Sequence, residues 1–343
     1  MPKARSARKQ TSHSTTYRSR PAAARSDAPA KMRAVAIDAY GGPAKLEVRD
    51  IDLRQPSANE VLIRIDTSGV GKWDASVRTG DIKTEHGFPL VPGTDGAGVI
   101  VEVGSGVTRF RRGDRVWAYV FDNKHGGFNA EYATVPAKAV GRVPRELDLQ
   151  HAGALTVIGL TALQGVDDAL RIERDEAVVV HGASGNVGMI AVQFARWRGA
   201  RILATASGKD GVAFVRRLGI DNVIDGKRAD LAQAVREFAP EGLDVVLAFA
   251  GGDELVVCMD ALRKGGRVGY PNGIDPAPRK RKGIRVVSYD ATASPEKFAA
   301  LNRAVVASRL QVPIAKAFSL EHAADAHRMV ERGRPLGKVV LRA

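Results

Sequence analysis

A single cysteine, Cys258, stands among 343 residues, so neither an internal disulfide nor a multi-cysteine zinc lobe can form. It falls in a helical pattern where a small apolar group serves, which reads as a packed thiol in a reducing compartment. Long apolar runs are missing too. No stretch approaches the roughly 18 consecutive apolar residues that span a bilayer, and the N-terminus lacks the apolar core of a secretory signal; a soluble, cytoplasmic protein is expected. Acid is scarce, 38 Asp and Glu against 52 Lys and Arg, a formal charge of +14. Half of that excess lies in residues 1–31, where eight Lys or Arg face one acid, Asp27. This segment has no apolar periodicity and almost nothing to bury, so disorder is expected there. Arg- and Ser-rich and acid-poor, it resembles an organelle transit peptide; an upstream start codon or a basic appendage accounts for it equally.

The length exceeds that of a single growing core, which predicts two packed domains. From Met32 to about Gln150 short β runs, "AVAID", "EVLIRIDTSGV", "AGVIVEVGSGV", "GDRVWAYV" and "AEYATVP", are broken by Gly and Pro. They predict a compact, barrel-like β domain. Near Leu155 the rhythm changes to strand alternating with helix: "EAVVVHGAS", "VGMIAVQFARWRG", "RILATAS", "DGVAFVRRLG", "NVID", "LAQAVREFA", "LDVVLAFA", "ELVVCMDALRKGG", "RVGY" and "IRVVSYD". That alternation predicts a parallel sheet with helices on both faces. The tail, a helix from Pro295, then "LEHAADAHRMVERG" and the strand "GKVVLR", has no β/α partner in sequence and is expected to return to the first domain.

Between a strand and a helix, Gly182, Gly185 and Gly188 form G-x-x-G-x-x-G. Small residues let the backbone turn tightly and approach a pyrophosphate, and the helix N-terminus near Asn186 and Val187 attracts its charge. Set in a βαβ unit, the triplet predicts a dinucleotide site. An NAD site wants an acid at the end of the second strand, roughly 20 residues on, to accept from the ribose 2′-OH. Here that strand ends "ATASGKDG", offering Ser207 and Lys209 to a 2′-phosphate, so NADPH is favoured. Asp210 reads as a cap of the next helix, and Lys227 and Arg228 as further positive charge for that phosphate or as a solvated loop.

The segments "FPLVPGTDGAGVIVEVGSGVTRFRRGDRVWAY", "AEYATVP", "GALTVIGLTALQG", "HGASGNVGMIAVQFAR", "DALRKGGRVG" and "GKVVL" occur in one order. In them the chain from Met32 onward resembles the medium-chain dehydrogenase/reductase superfamily, in its zinc-independent quinone oxidoreductase, zeta-crystallin-like branch. The resemblance implies an α/β fold in which residues 32–152 and 291–343 form a GroES-like catalytic domain and residues 153–290 a Rossmann NADPH-binding domain. The active site would lie in the cleft between them, and the assembly would be a homodimer.

Zinc alcohol dehydrogenases of this superfamily carry Cys in the first motif and His-Glu in the second, because N and S donors hold Zn²⁺. This chain has Gly71 and Lys72, then Thr94 and Asp95, and no metal site is expected. Carried over, Ser184, Gly185, Asn186, Val187 and Gly188 would hold the pyrophosphate, and Ser207 with Lys209 the 2′-phosphate. Thr156 or Thr161 would face the nicotinamide, with Asn272 and Lys338 along its side. Thr161 reads equally as a helix-start hydroxyl and Lys338 as a sheet-edge charge.

The branch usually reads G-V-N-P-x-D; here Gly71, Lys72 and Trp73 replace its centre, and Ser76 stands where a Tyr is frequent. These three residues become substrate-pocket candidates, Trp73 as an aromatic wall or a core residue and Lys72 as an oxyanion partner or a solvated charge. Asp74 and Arg78 suit a structural ion pair. His86, His125 and His151 share no metal spacing, and His181 reads as packing beneath the glycines.

The function expected is a zinc-independent, NADPH-dependent reductase of quinones or α,β-unsaturated carbonyls, small molecules rather than nucleic acid. Two alternatives stand beside it. One is an enoyl-thioester or alkenal reductase, with "PRKRKG" at residues 278–283 as a contributor to a CoA-phosphate groove or a solvated loop. The other is a nucleotide-bound structural or RNA-binding protein, for which the basic arm is the support.

Overall fold

The computed structural model describes residues 28–343 apart from 86 and 334. The disorder expected for residues 1–31 and the reading of His86 lie outside the described residues, save that Ala30 accepts from Leu53 N and Lys31 opens the first strand.

Strands β1 (Lys31–Ala36) and β2 (Glu47–Asp52) pair antiparallel. After them come β3 (Glu60–Val70), α1 (Lys72–Thr79), β4 (Asp95–Val103), β5 (Arg115–Tyr119), β6 (Tyr132–Pro136) and β7 (Val140–Arg142). The long β3, rich in Val and Ile, is buried along most of its length because β4, β6 and a strand from the far end of the sequence all pair with it. That strand is β15 (Lys338–Arg342), flanked by β14 (Ile314–Ser319). Together they make a seven-stranded sheet in the order β14-β15-β3-β4-β5-β7, with β6 on β3.

α2 (Leu149–Gln164) joins the two halves of the molecule. Asp148 caps it by accepting from His151 N at 2.8 Å. From Ala152 to Gln164 every residue is buried, as a helix apolar on all sides must be. Its cluster takes in Ala97 and Trp117 of the first sheet and Val178 and Val180 of the second.

The second sheet is parallel: β8 (Ala177–His181), α3 (Gly188–Trp197), β9 (Arg201–Ala206), α4 (Gly208–Arg217), β10 (Val223–Asp225), α5 (Leu231–Phe238), β11 (Leu243–Ala248), α6 (Asp253–Asp260), β12 (Leu262–Pro271) and β13 (Arg285–Tyr289). Its order is β10-β9-β8-β11-β12-β13. The order reverses between β8 and β11, and ligands bind outside the carboxyl ends of the strands at such a point. α7 (Pro295–Ser308) then crosses back, capped by Ser294, and sets Phe298 against Trp117 with ring centroids 5.7 Å apart. α8 (Ala323–Arg332) leads to β15.

Three local expectations are corrected. "DALRKGG" is not the end of a helix: α6 stops at Asp260, and residues from Leu262 run as strand, with Gly265 in the left-handed region at φ 85° and its N–H bonded to Gly283 O. Asp210 does not cap α4; Ser207 is at the N-cap, and Asp210 sits in the first turn, where a negative charge favours the helix dipole. Asp74 and Arg78 do not pair. Arg78 is wholly buried and bonds Glu331 of α8 at 2.5 Å, while Asp74 turns back to its own helix N-terminus.

Beside Arg78, His327 is buried with neither ring nitrogen hydrogen-bonded among the described residues. Burial, helped by the nearby guanidinium, pushes its pKa down to about 3. The native imidazole refuses a proton that the unfolded chain accepts below its ordinary 6.5. Stability from this group is therefore complete above pH 6.5 and lost as the pH falls towards 3. Denaturant titrations across that window should show a shallower acid limb in His327→Leu than in the parent; equal limbs would remove His327 as the cause.

Candidate active site

The glycine turn follows β8 at the switch point. A Cβ on Gly188 would stand 2.3 Å from Gly182 O, so only glycine lets α3 begin this close to the strand. The turn is braced from below. Thr205 Oγ1 lies 2.8 Å from His181 Nδ1 and accepts from Gly182 N at 3.1 Å, and Thr205 O accepts from Ala183 N. Burial lowers the His181 pKa, so the ring serves as a neutral prop.

Above the prop, Gly185 is exposed and Asn186 carries a buried Oδ1 with no partner among the described residues. Ser184 Oγ accepts from Ser207 N at 3.3 Å, which ties the cradle to the end of β9. Ser207 and Lys209 are exposed there; Lys227 and Arg228 stand on the next loop, where Arg228 reaches Asp225 at 3.9 Å. A glycine turn leading into a helix N-terminus fits the pyrophosphate of a dinucleotide.

In the first sheet, the carboxyl end of β3 meets α1. Gly71 is the N-cap, and its N–H donates to Asp74 Oδ2 at 2.7 Å. A Cβ on Gly71 would fall 2.3 Å from the Trp73 indole. The ring thus fills the space into which a ligand side chain at position 71 would project, so the two departures from the branch pattern are one steric exchange. Trp73 Nε1 donates to Thr94 Oγ1 at 2.9 Å. Trp73 is half-buried at the edge of the core, and Lys72 is exposed, away from this floor.

Beneath the indole lies a group of buried charges. Lys338 is not a sheet-edge residue: β15 runs between β14 and β3, and the side chain is 0% exposed. Its Nζ has no hydrogen bond among the described residues and sits 4.6 Å from the Trp73 ring centroid, within cation–π range. Asp95 Oδ2 accepts from Val157 N of α2 at 3.0 Å. Burial raises the carboxyls of Asp95 and Asp74, the latter to about 7, and lowers the Lys338 ammonium; attraction between the lysine and the two acids opposes each shift.

Thr156 and Thr161 are buried within α2, each donating four residues back, to Ala152 O and Val157 O at 2.8 Å. Thr161 is therefore not at a helix start. Asn272 follows β12 and donates to Asp290 Oδ2 at 2.7 Å, on the carboxyl side of the parallel sheet that also carries the glycine turn. The structure thus gathers Trp73 and Lys338 with Asp74, Thr94 and Asp95, and separately Ser184 with Ser207; Lys72 joins neither.

Two of these, Asp95 and Thr94, and Tyr119 at the end of β5 carried no functional role in the sequence reading. The only available signal was the alternation of "DRVWAY", which sets Trp117 and Tyr119 on one face. A cavity of about 270 Å³ reaching Asp74 and Thr94 is lined only by residues between 51 and 127.

The basic run at 278–283 is remote from this region. It leads into the amino end of β13, Arg281 pairs with Asp260, and Gly283 bonds Gly265; the crevice is at the carboxyl ends. Among the described residues no group of three or more His, Cys, Asp and Glu is placed to hold a metal ion, and no helix is long and apolar enough to cross a membrane.

Comparison with known proteins follows the two sheets. Residues 57–145 match the alcohol dehydrogenase GroES-like domain, and residues 218–341 match the zinc-binding dehydrogenase family. The chain is 32% identical to quinone oxidoreductase of Rattus norvegicus over 323 residues, 90% of this chain and 97% of that protein. Among solved structures, a mycobacterial protein complexed with NADPH superposes with a TM-score of 0.80 at 27% identity, covering 91% of this chain and all of that one. The enoyl reductase CurK does so at 0.80 and 25%, covering 92% and 99%. The zinc implied by the second family's description does not fit: position 71 offers no side chain, the indole occupies its space, Thr94 is held by Trp73, and a lysine lies below.

Proposed function

The chain belongs to the medium-chain dehydrogenase/reductase superfamily, in its quinone oxidoreductase branch, and on that premise we propose that it is a zinc-independent, NADPH-dependent reductase of quinones or α,β-unsaturated carbonyls. The observation that carries this reading is the exchange at Gly71 and Trp73, which fills the metal position with an indole over a buried cation. Without a Lewis acid an alkoxide finds little stabilisation. A conjugated acceptor spreads incoming charge onto its own oxygen, where hydrogen bonds suffice.

When bound, the nicotinamide cofactor supplies the hydride. Gly182 to Gly188 would hold its pyrophosphate, Ser207 and Lys209 its 2′-phosphate, and Asn272 would lie near the ring; the end of β9 favours NADPH because it presents a hydroxyl and an ammonium and no acid. α2, buried against both sheets, would form the dry wall of the cleft. The domains would be 32–152 with 291–343, and 153–290. β13, at the sheet edge, is the surface through which a homodimer would form.

A second reading, reduction of an enoyl thioester, draws support from the CurK likeness, whereas the basic run lies too far from the crevice to serve it. Both readings are tested by mixing the protein with NADPH and a panel of quinones, enones and an enoyl-CoA while following the reduced cofactor's absorbance. Consumption with quinones and enones is expected, and none with any acceptor removes the reductase reading. Lys209→Ala should raise the KM for NADPH about tenfold, the worth of one charge-assisted hydrogen bond, and leave that for NADH unchanged. An equal rise for both cofactors would refute the 2′-phosphate assignment.

A further inference from the structure

The geometry points to Tyr119 as the group that hydrogen-bonds the acceptor's carbonyl oxygen, an inference that rests on the reductase reading and names the residue receiving the charge. Tyr119 closes β5 directly opposite Asp95 on β4. Residues opposed in this way share a face of the sheet, and this face carries Asp95 towards α2 and Trp117 onto Phe298.

Tyr119 therefore looks out of the catalytic sheet at the other half of the molecule. Its ring is half-buried and packs against the core that joins the two. Its hydroxyl makes no hydrogen bond among the described residues and is not sealed from solvent. Asp95, Asp290 and Asp74 all act on it electrostatically. Asp290 is the residue that Asn272 bonds at the carboxyl edge of the parallel sheet. The phenol thus stands on the face of the first sheet that is turned towards α2.

The three carboxylates do not spoil the site for an oxyanion. Asp74 and Asp95 are faced by the Lys338 ammonium, and Asp290 is engaged by Asn272. Burial and those acids raise the phenol's pKa, so it keeps its proton across the working range and acts as a donor rather than as an acid. As hydride reaches the electrophilic carbon of the conjugated acceptor, the π pair moves onto the carbonyl oxygen. The O–H of Tyr119 meets that growing charge, and water supplies the proton that completes the product. Lys72 is too exposed for this task, and Ser76 leaves no tyrosine in the first motif.

Tyr119→Phe removes one oxygen that no neighbour uses, so its melting temperature should match the parent's. Its kcat with a quinone or enone should fall roughly 10²-fold, as when an oxyanion donor is lost, while the KM for NADPH stays within twofold. An independent readout is 4-nitrophenolate, an oxyanion that nothing here reduces, bound in the presence of NADP⁺. Its affinity, read from its visible absorbance, should drop about tenfold in the variant.

Unchanged kcat and unchanged nitrophenolate binding would overturn the role of Tyr119 while leaving the reductase intact. A parent protein that reduces no acceptor yet binds nitrophenolate through Tyr119 would keep the donor and discard the reductase. A variant that weakens NADPH and nitrophenolate alike would mark the residue as structural and overturn the inference.

Discussion

Lys338→Met should cost about 3–5 kcal/mol of folding stability at pH 8, the usual effect of removing one partner from buried charges. The ammonium is the cation that faces Asp95 and Asp74, and all three side chains are 0% exposed. Without it two buried carboxylates remain, and each must then take up a proton to stay buried. The loss should therefore shrink at pH 5, where that protonation comes easily. Adding Asp95→Asn to Lys338→Met should recover most of it. Urea titrations of the two variants at both pH values decide the matter; a single variant as stable as the parent at pH 8 would show that the cation does not hold the acids.

Gly188→Val should abolish dinucleotide binding, weakening NADPH by at least about a hundredfold, or roughly 3 kcal/mol. The new Cβ would stand 2.3 Å from Gly182 O and 2.9 Å from Ala183 Cα, atoms of a backbone that cannot swing aside like a side chain. Either α3 withdraws from the strand or the turn opens, and both move the amides away from the phosphates. Gly185→Ala is the control, because its nearest atom, Gly182 O, is 3.3 Å off; it should fold normally and bind more weakly by a smaller factor. Calorimetric titration with NADPH measures both, and parent-like binding by Gly188→Val would remove the glycine turn as the cradle.

What could be read in advance followed the range of the forces involved. The β/α alternation and the glycine turn are set by neighbours a few residues away, so periodicity and spacing reveal them. Lys338 was opaque for the opposite reason. A lysine before "VVL" reads as a solvated strand end, and nothing local tells that β15 enters the sheet beside β3, some 270 positions earlier in the chain.

The exchange at Gly71 and Trp73 was visible as a departure from a pattern. Its cause appeared only with the helix N-terminus that folds the indole over the glycine. Tyr119 was missed because an aromatic at the end of an alternating run is what any strand favours. "LRKGG" misled because its leucine, arginine and lysine are good helix formers, while Leu262 pairs with Leu243 of β11 and Gly265 N–H bonds Gly283 O.

The position of β15 between β14 and β3 ties two properties together. Its residues hold both β14 and β3 in place, and its first residue is the cation beneath Trp73. Any fraying of that strand withdraws the positive charge in the same motion that breaks the ladder. Loss of this strand's pairing and loss of the charge beneath the indole are thereby one event.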